Sequence, residues 1–174
     1  MSEQISLESK IYELSFELSE VIDKNDLQKL LGVLANDGVY AMWVYAMDKL
    51  DWRFSKDIEE MKKMKCFRLM EVISNLSEFS SEKLDYDNVL KKIATLSDEI
   101  DNLNQELKNK KENNQEKRNK EHEKKEKEKI RSQILNQYFQ SLAKNLNKLL
   151  FMKELLEKVL IYALYHAKAK GNEK

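Results

Sequence analysis

A chain of 174 residues with no proline, and with glycine only at positions 32, 38 and 171, lacks nearly every residue that ends helices or closes hairpin turns. Long helices are what such a sequence can build. Its apolar residues recur at three- and four-residue steps, and Lys, Glu and Ala, all strong helix formers, fill the spaces between them. The expected fold is all-α, a helical bundle of about five to six helices with a coiled-coil-like, highly charged extension. With 36% charged and 41% hydrophobic residues the core is modest, enough for one globular domain plus that extension.

Leu7, Ile11, Leu14, Leu18 and Val21 mark a first helix from about Gln4 to Ile22. Asn25 or Asp26 then caps a second, carried by Leu27, Leu30, Leu31 and Leu34. Gly38 is placed for the left-handed conformation that ends it, and Val39 starts a very apolar third helix through Leu50. Ser55 or Asp57 caps a fourth that runs on to Leu76. Asp87 caps a fifth, with Val89, Ile93, Leu96, Ile100, Leu103 and Leu107 at heptad-like spacing, a face that wants a partner helix. From Lys108 to Lys129 no apolar residue occurs, so that stretch has nothing of its own to bury and reads either as a protruding helix or as a solvated, disordered tether. Apolar spacing resumes at Ile130 and continues to Ala163, in two closely joined helices or one long bent one. Residues 1–96 thus form the N-terminal part of the bundle, 97–129 a charged insertion, and 130–174 the C-terminal helices that complete it.

The formal net charge is zero but unevenly divided: residues 1–107 carry 13 basic and 22 acidic side chains, residues 108–174 carry 18 and 9. Opposite fields favour head-to-tail self-association, or give one part to a polyanion and the other to a protein partner. The plainer reading is that Lys and Glu solvate helix surfaces. Cys66 is the lone cysteine, so no internal disulfide can form, and no Cys/His spacing suits zinc or an iron cluster. The opening MSEQISLESK lacks the basic-then-apolar pattern of a secretory signal. The longest apolar stretches, 39–47 and 159–167, are about half of the ~20 residues that span a bilayer. The expectation is a cytoplasmic protein, not integral to a membrane, with no cofactor or metal.

Chemistry that needs a glycine-rich phosphate loop or an HExxH metal pair has no counterpart in this sequence, and its only histidines are His122 and His166. Arg118 and His122 invite comparison with helical ribonucleases, but their neighbours are Lys, Glu and Asn, not a packed apolar wall. Cys66 sits among Met64, Phe67 and Met70 and reads as core, although Lys65 and Arg68 flank it. Trp43 reads the same way; its alternative role, with Tyr40 and Tyr45, is stacking on bases. An enzyme is therefore not expected. What remains are basic clusters able to follow a phosphate backbone without reading sequence: Lys62, Lys63, Lys65 and Arg68 on the fourth helix, and Lys144, Lys148 and Lys153 near the C-terminal ones. Lys144 and Lys148 are expected one turn apart on one face, as are Lys65 and Arg68.

Two segments carry a family resemblance. KLLGVLANDGVYAMWVYAMDK, Lys29 to Lys49, resembles the helix, Asn-Gly-type break and apolar helix of the small subunit of Cmr-type (type III) CRISPR effector complexes. NKLLFMKELLEKVLIYALYHAKAK, Asn147 to Lys170, is similar to that family's amphipathic, basic-ended C-terminal helix. Together they cover about 45 of the 174 residues, in the same order. The resemblance implies a small, non-catalytic α-helical bundle that stacks in two or more copies along an RNA-guided complex. It would help hold guide RNA and target RNA, beside other effector-complex subunits. The family usually lacks so long an insertion as Ser97 to Lys129. Without the resemblance, the Leu96–Leu107 seam supports a different function, that of a self-associating coiled-coil adaptor that never meets RNA.

Overall fold

Each polar turn between the apolar stripes supplies the cap for the helix that follows. The computed structural model describes residues 6–109 and 111–171, so the expected start at Gln4 lies outside the described residues. Helix α1 (Leu7–Val21) begins at Ser6, whose hydroxyl accepts the Ser9 N–H at 3.1 Å. Helix α2 (Lys24–Asp37) is capped by Asp23, not by Asn25 or Asp26; the Asp23 carboxylate accepts the Asp26 N–H at 2.8 Å. Gly38, φ 93°, ends α2, and α3 (Val39–Lys49) follows directly. No other described residue has a positive φ, which only glycine adopts at little cost. After an irregular stretch come α4 (Ile58–Lys62), capped by Asp57, and α5 (Lys65–Ser77). Asp85, not Asp87, caps α6 (Tyr86–Leu107), and Asn113 caps α7 (Asn114–Ala143). Helix α8 (Leu146–Gly171) closes the chain.

The described residues thus form eight helices and no strand, where about five to six helices were expected. One unexpected break makes the difference, together with a closing segment that takes the first of its two expected forms, two closely joined helices. The expected fourth helix is split at Lys63–Met64 by contacts from outside it. The Cys66 N–H donates to the Asp51 carbonyl at 3.3 Å, and the Arg53 N–H points at the Met64 sulfur at 3.1 Å. These hold Met64 in extended backbone, ψ 140°. The closing segment is parted at Lys144–Asn145, where the Asn145 carboxamide accepts the Lys148 N–H at 3.1 Å and starts α8 afresh. No described helix is long and apolar enough to cross a membrane.

The first and last helices pack side by side and run parallel. Tyr12 meets Tyr162 with ring centroids 5.3 Å apart, Phe16 meets His166 at 5.6 Å, and Glu20 pairs with Lys170, so both chains advance one turn together. Behind this ladder Ile11, Leu14 and Leu18 are buried with Leu155, Leu156, Val159 and Ala163, each large side chain contributing about 1.5–3 kcal/mol of burial. Helix α2 covers another side of α8, α5 packs on both α1 and α8, and α3 lies against α2 and α7.

Helices α6 and α7 form an antiparallel hairpin. Glu106 pairs with Lys120 at 3.3 Å, Glu99 with Lys127 at 2.8 Å, and the Arg131 guanidinium donates to Ser97 at 3.1 Å, one number falling as the other rises. The run after Lys108 is therefore helical from Asn114 onward, and it is not merely solvated. Ile100 and Leu103 are buried although α7 offers them no apolar residue at that level, because half-buried Lys117, Lys120, Lys124 and Lys127 lie on this side of α7. Their aliphatic stems cover apolar surface while the ammonium groups reach carboxylates.

Candidate nucleic-acid interface

Lys62 and Lys63 end α4, and Arg68 stands one turn into α5, so the break between these helices turns all three toward one cleft of about 890 Å3. The opposite wall is the segment before α6, fixed by two hydroxyls of α5. Ser74 donates to the Leu84 carbonyl at 2.7 Å, and Ser77 accepts the Leu84 N–H at 2.9 Å. This clamp brings Lys83, Asp85 and Tyr86 to the cleft. Lys83 was not among the expected cations, because it stands alone in the turn before α6, outside the two basic clusters of the sequence. Lys65, the first residue of α5, is half-buried and does not line the cleft.

Carboxylates interleave these cations. Lys62 lies 3.7 Å from Glu59 and 4.0 Å from Asp87, Arg68 3.5 Å from Glu71, and Lys83 3.6 Å from Glu78. The cleft is consequently a mosaic, not a uniformly basic groove. Lys63 has no carboxylate within ion-pair distance among the described residues. Tyr86 is 7% exposed, and its hydroxyl has no hydrogen-bond partner among the described residues. Burial first, then the Glu71 charge, raises its phenol well above the ordinary tyrosine value, while Arg68 works in the opposite direction.

The second expected cluster is not one ridge. The break at Asn145 leaves Lys144 at the end of α7 and Lys148 in the first turn of α8, so the two do not share a helix face. Lys148 pairs with Glu82 at 3.3 Å. Lys153 joins Glu157 at 3.8 Å and donates to the Ala35 carbonyl of α2 at 3.3 Å. Lys148 thus ties α8 to the segment before α6, and Lys153 ties α8 to α2. Lys144 is exposed, with no carboxylate within ion-pair distance among the described residues.

A third set, three cations with one histidine, was not recognised as a basic surface in the sequence, where Arg118 and His122 drew notice only as a catalytic pair. Arg118, His122, Lys125 and Lys129 recur at four, three and four residues along α7, all exposed, on the side turned away from α6. Among the described residues Arg118, Lys125 and Lys129 have no carboxylate within ion-pair distance, whereas Lys120 and Lys127 are engaged with α6. The signal was present as a helical period of basic residues. It was hidden because the same run alternates with glutamates whose facing depends on where α6 lies.

The other candidates are also located. Trp43 is wholly buried, Tyr45 half-buried and Tyr40 exposed, so no stacking platform forms around the tryptophan. Cys66 is buried and its thiol is pushed up to about 12 by desolvation. Among the described residues no group of three or more His, Cys, Asp or Glu side chains is placed to hold a metal ion. No family model matches the chain, and neither a curated protein nor a solved structure matches it.

Proposed function

We propose that this chain is a non-catalytic structural subunit of a type III CRISPR RNA-guided effector complex. It works in the cytoplasm and contacts the backbone of guide and target RNA, neighbouring effector subunits and further copies of itself. The observation that carries the RNA contact is the α7 stripe. Among the described residues Arg118, Lys125 and Lys129 stand free of carboxylate partners on one edge of a long helix, ready to release counterions from phosphates without reading bases. Lys63, Lys65 and Lys144 are further cations without carboxylate partners among the described residues, and Lys62 and Arg68 make exposed pairs weak enough to exchange for phosphate. The assignment to this class of complex rests on the two resembling segments. They become α2–α3 and α8, which pack on one another, so the resemblance falls on neighbouring surfaces of one core.

The adaptor reading needs the Leu96–Leu107 seam of α6 to be open to another chain. Ile100 and Leu103 are buried against α7 in the hairpin, read here as a short antiparallel coiled coil, and this weighs against it.

Binding of fluorescent single-stranded RNA at two salt concentrations tests the proposal. Affinity is expected to fall steeply with salt, and Arg118→Glu/Lys125→Glu/Lys129→Glu to weaken it more than Lys148→Glu/Lys153→Glu. Salt-insensitive binding, or no loss in the α7 triple variant, would overturn the RNA contact.

A further inference from the structure

The cleft between α4, α5 and the segment before α6 is lined by four cations and five carboxylates. Such a balance suits one compact anionic group better than a run of them. Each carboxylate is already engaged: Glu59 and Asp87 with Lys62, Glu71 with Arg68, Glu78 with Lys83, and Asp85 with the Asn88 N–H at 3.1 Å. Two groups are left over. Lys63 is exposed with no carboxylate at ion-pair distance among the described residues, and the Tyr86 hydroxyl has no hydrogen-bond partner among them either. Tyr86 is more than nine-tenths buried, yet the charges that act on its phenol are those of Glu71, Arg68, Asp87 and Glu59, all residues of the cleft. Its hydroxyl is therefore directed at the cleft and not into the apolar core. Buried phenols nearly always have a partner, so one left over beneath charged side chains is free to bind a ligand atom.

We propose that this cleft binds a nucleotide by a terminal phosphate, a phosphate monoester held by Lys62, Lys63, Arg68 and the Tyr86 hydroxyl. The Lys62–Asp87 pair, at 4.0 Å the longest in the cleft, is partly exposed on both sides and yields readily to a doubly charged phosphate. Desolvation keeps the Tyr86 phenol protonated and so a donor. A monoester offers three terminal oxygens to these donors, whereas a backbone diester offers fewer and carries a single charge. Glu78, Asp85 and Asn75 stand along the same cleft, where base amino groups and ribose hydroxyls can donate to them. At about 890 Å3 the cleft lies within the roughly 300–1,000 Å3 usual for small-molecule sites. The phosphate can belong to a free mononucleotide or to the 5′ end of an RNA strand. The inference shares Lys62, Lys63 and Arg68 with the proposed RNA contact and does not depend on the α7 stripe.

Calorimetric titration of the full-length chain with adenosine 5′-monophosphate tests it, beside adenosine, cyclic adenosine monophosphate (a diester) and O-phosphoserine. The monophosphate is expected to bind one to one with Kd below about 1 mM, and the other three about tenfold more weakly or worse. Tyr86→Phe and Lys63→Ala are each expected to weaken its binding about tenfold or more. Tyr86→Phe leaves the melting temperature of the free protein unchanged or higher, because it removes a hydroxyl without a partner, and this separates a lost contact from a damaged fold. No binding of the monophosphate, equal binding of adenosine or the cyclic diester, or full affinity in either variant would overturn the site. O-phosphoserine binding as tightly would overturn the nucleotide as its ligand. Two RNAs of one sequence, with a 5′ phosphate and with a 5′ hydroxyl, then separate the sources. A gain from the phosphate that disappears in Tyr86→Phe assigns the cleft to strand ends, and equal affinities assign it to free nucleotides. If the 5′-hydroxyl RNA binds with the expected salt dependence while the monophosphate does not bind, this inference alone fails. If the monophosphate binds as expected while the α7 triple variant holds that RNA like wild type, only the RNA contact fails.

Discussion

The indole N–H of Trp43 donates to the carboxamide oxygen of Asn136 at 3.1 Å, and the same ring lies nearly flat against Phe139, centroids 4.7 Å apart. One wholly buried side chain thereby ties α3 to α7 by both packing and polarity. Trp43→Phe keeps an aromatic ring but leaves Asn136 without its donor, and is expected to lower unfolding free energy by about 1–3 kcal/mol. Trp43→Ala is expected to cost about 3–5 kcal/mol, because a cavity opens as well. Urea unfolding measures both, and a Trp43→Phe protein as stable as wild type would deny the hydrogen bond its role.

Glu82 accepts from the Ser141 hydroxyl at 2.7 Å and from Lys148 Nζ at 3.3 Å, and these bonds, the first most, hold its carboxyl below its usual value. A carboxyl more acidic in the folded than in the unfolded chain stabilises the fold above its unfolded value of about 4.3. That stabilisation fades as pH falls through the folded value. The melting-temperature gap between wild type and Glu82→Gln is therefore expected to be widest near neutral pH and to close in acid. The gap is modest, since water reaches the side chain. A gap independent of pH would contradict this.

The Cys66 thiol, raised to about 12 by burial, has on the order of a thousandfold less thiolate at neutral pH than a free cysteine. Neighbouring Lys65 and Arg68 do not offset that desolvation. The folded protein is expected to resist a thiol-specific disulfide reagent throughout the time in which the guanidinium-unfolded chain reacts completely. Prompt labelling of the folded protein would mean that α5 opens readily.

The all-helical character followed from missing proline and from apolar spacing, and Gly38 and Asp57 were legible as stop and cap because each stood where its chemistry was needed. Asp23 and Asp85 were displaced from the expected caps by two or three residues. Each turn holds several Asp or Asn residues with the same capping chemistry, and the backbone, not the residue type, selects one. The break at Met64 had no local marker, since Asp51 and Arg53 impose it across a turn. The basic residues were visible as residues but not as a site. Whether Lys148 is available depends on Glu82, 66 positions away, and whether Lys127 is available depends on Glu99, 28 positions away. Arg118, Lys125 and Lys129 differ from Lys120 and Lys127 only in which side of α7 meets α6.

The parallel pairing of α1 with α8 places partners such as Glu20 and Lys170 150 positions apart. At synthesis rates of about 5–20 residues per second, the N-terminal helix waits on the order of ten seconds for the surface that shelters it. Until then Ile11, Leu14 and Leu18 have only the flank of α5 to lean on. A growing polypeptide of this sequence therefore carries the greasy face of α1 uncovered until α8 has been made, a natural client for holding chaperones, and this part of its interior closes last.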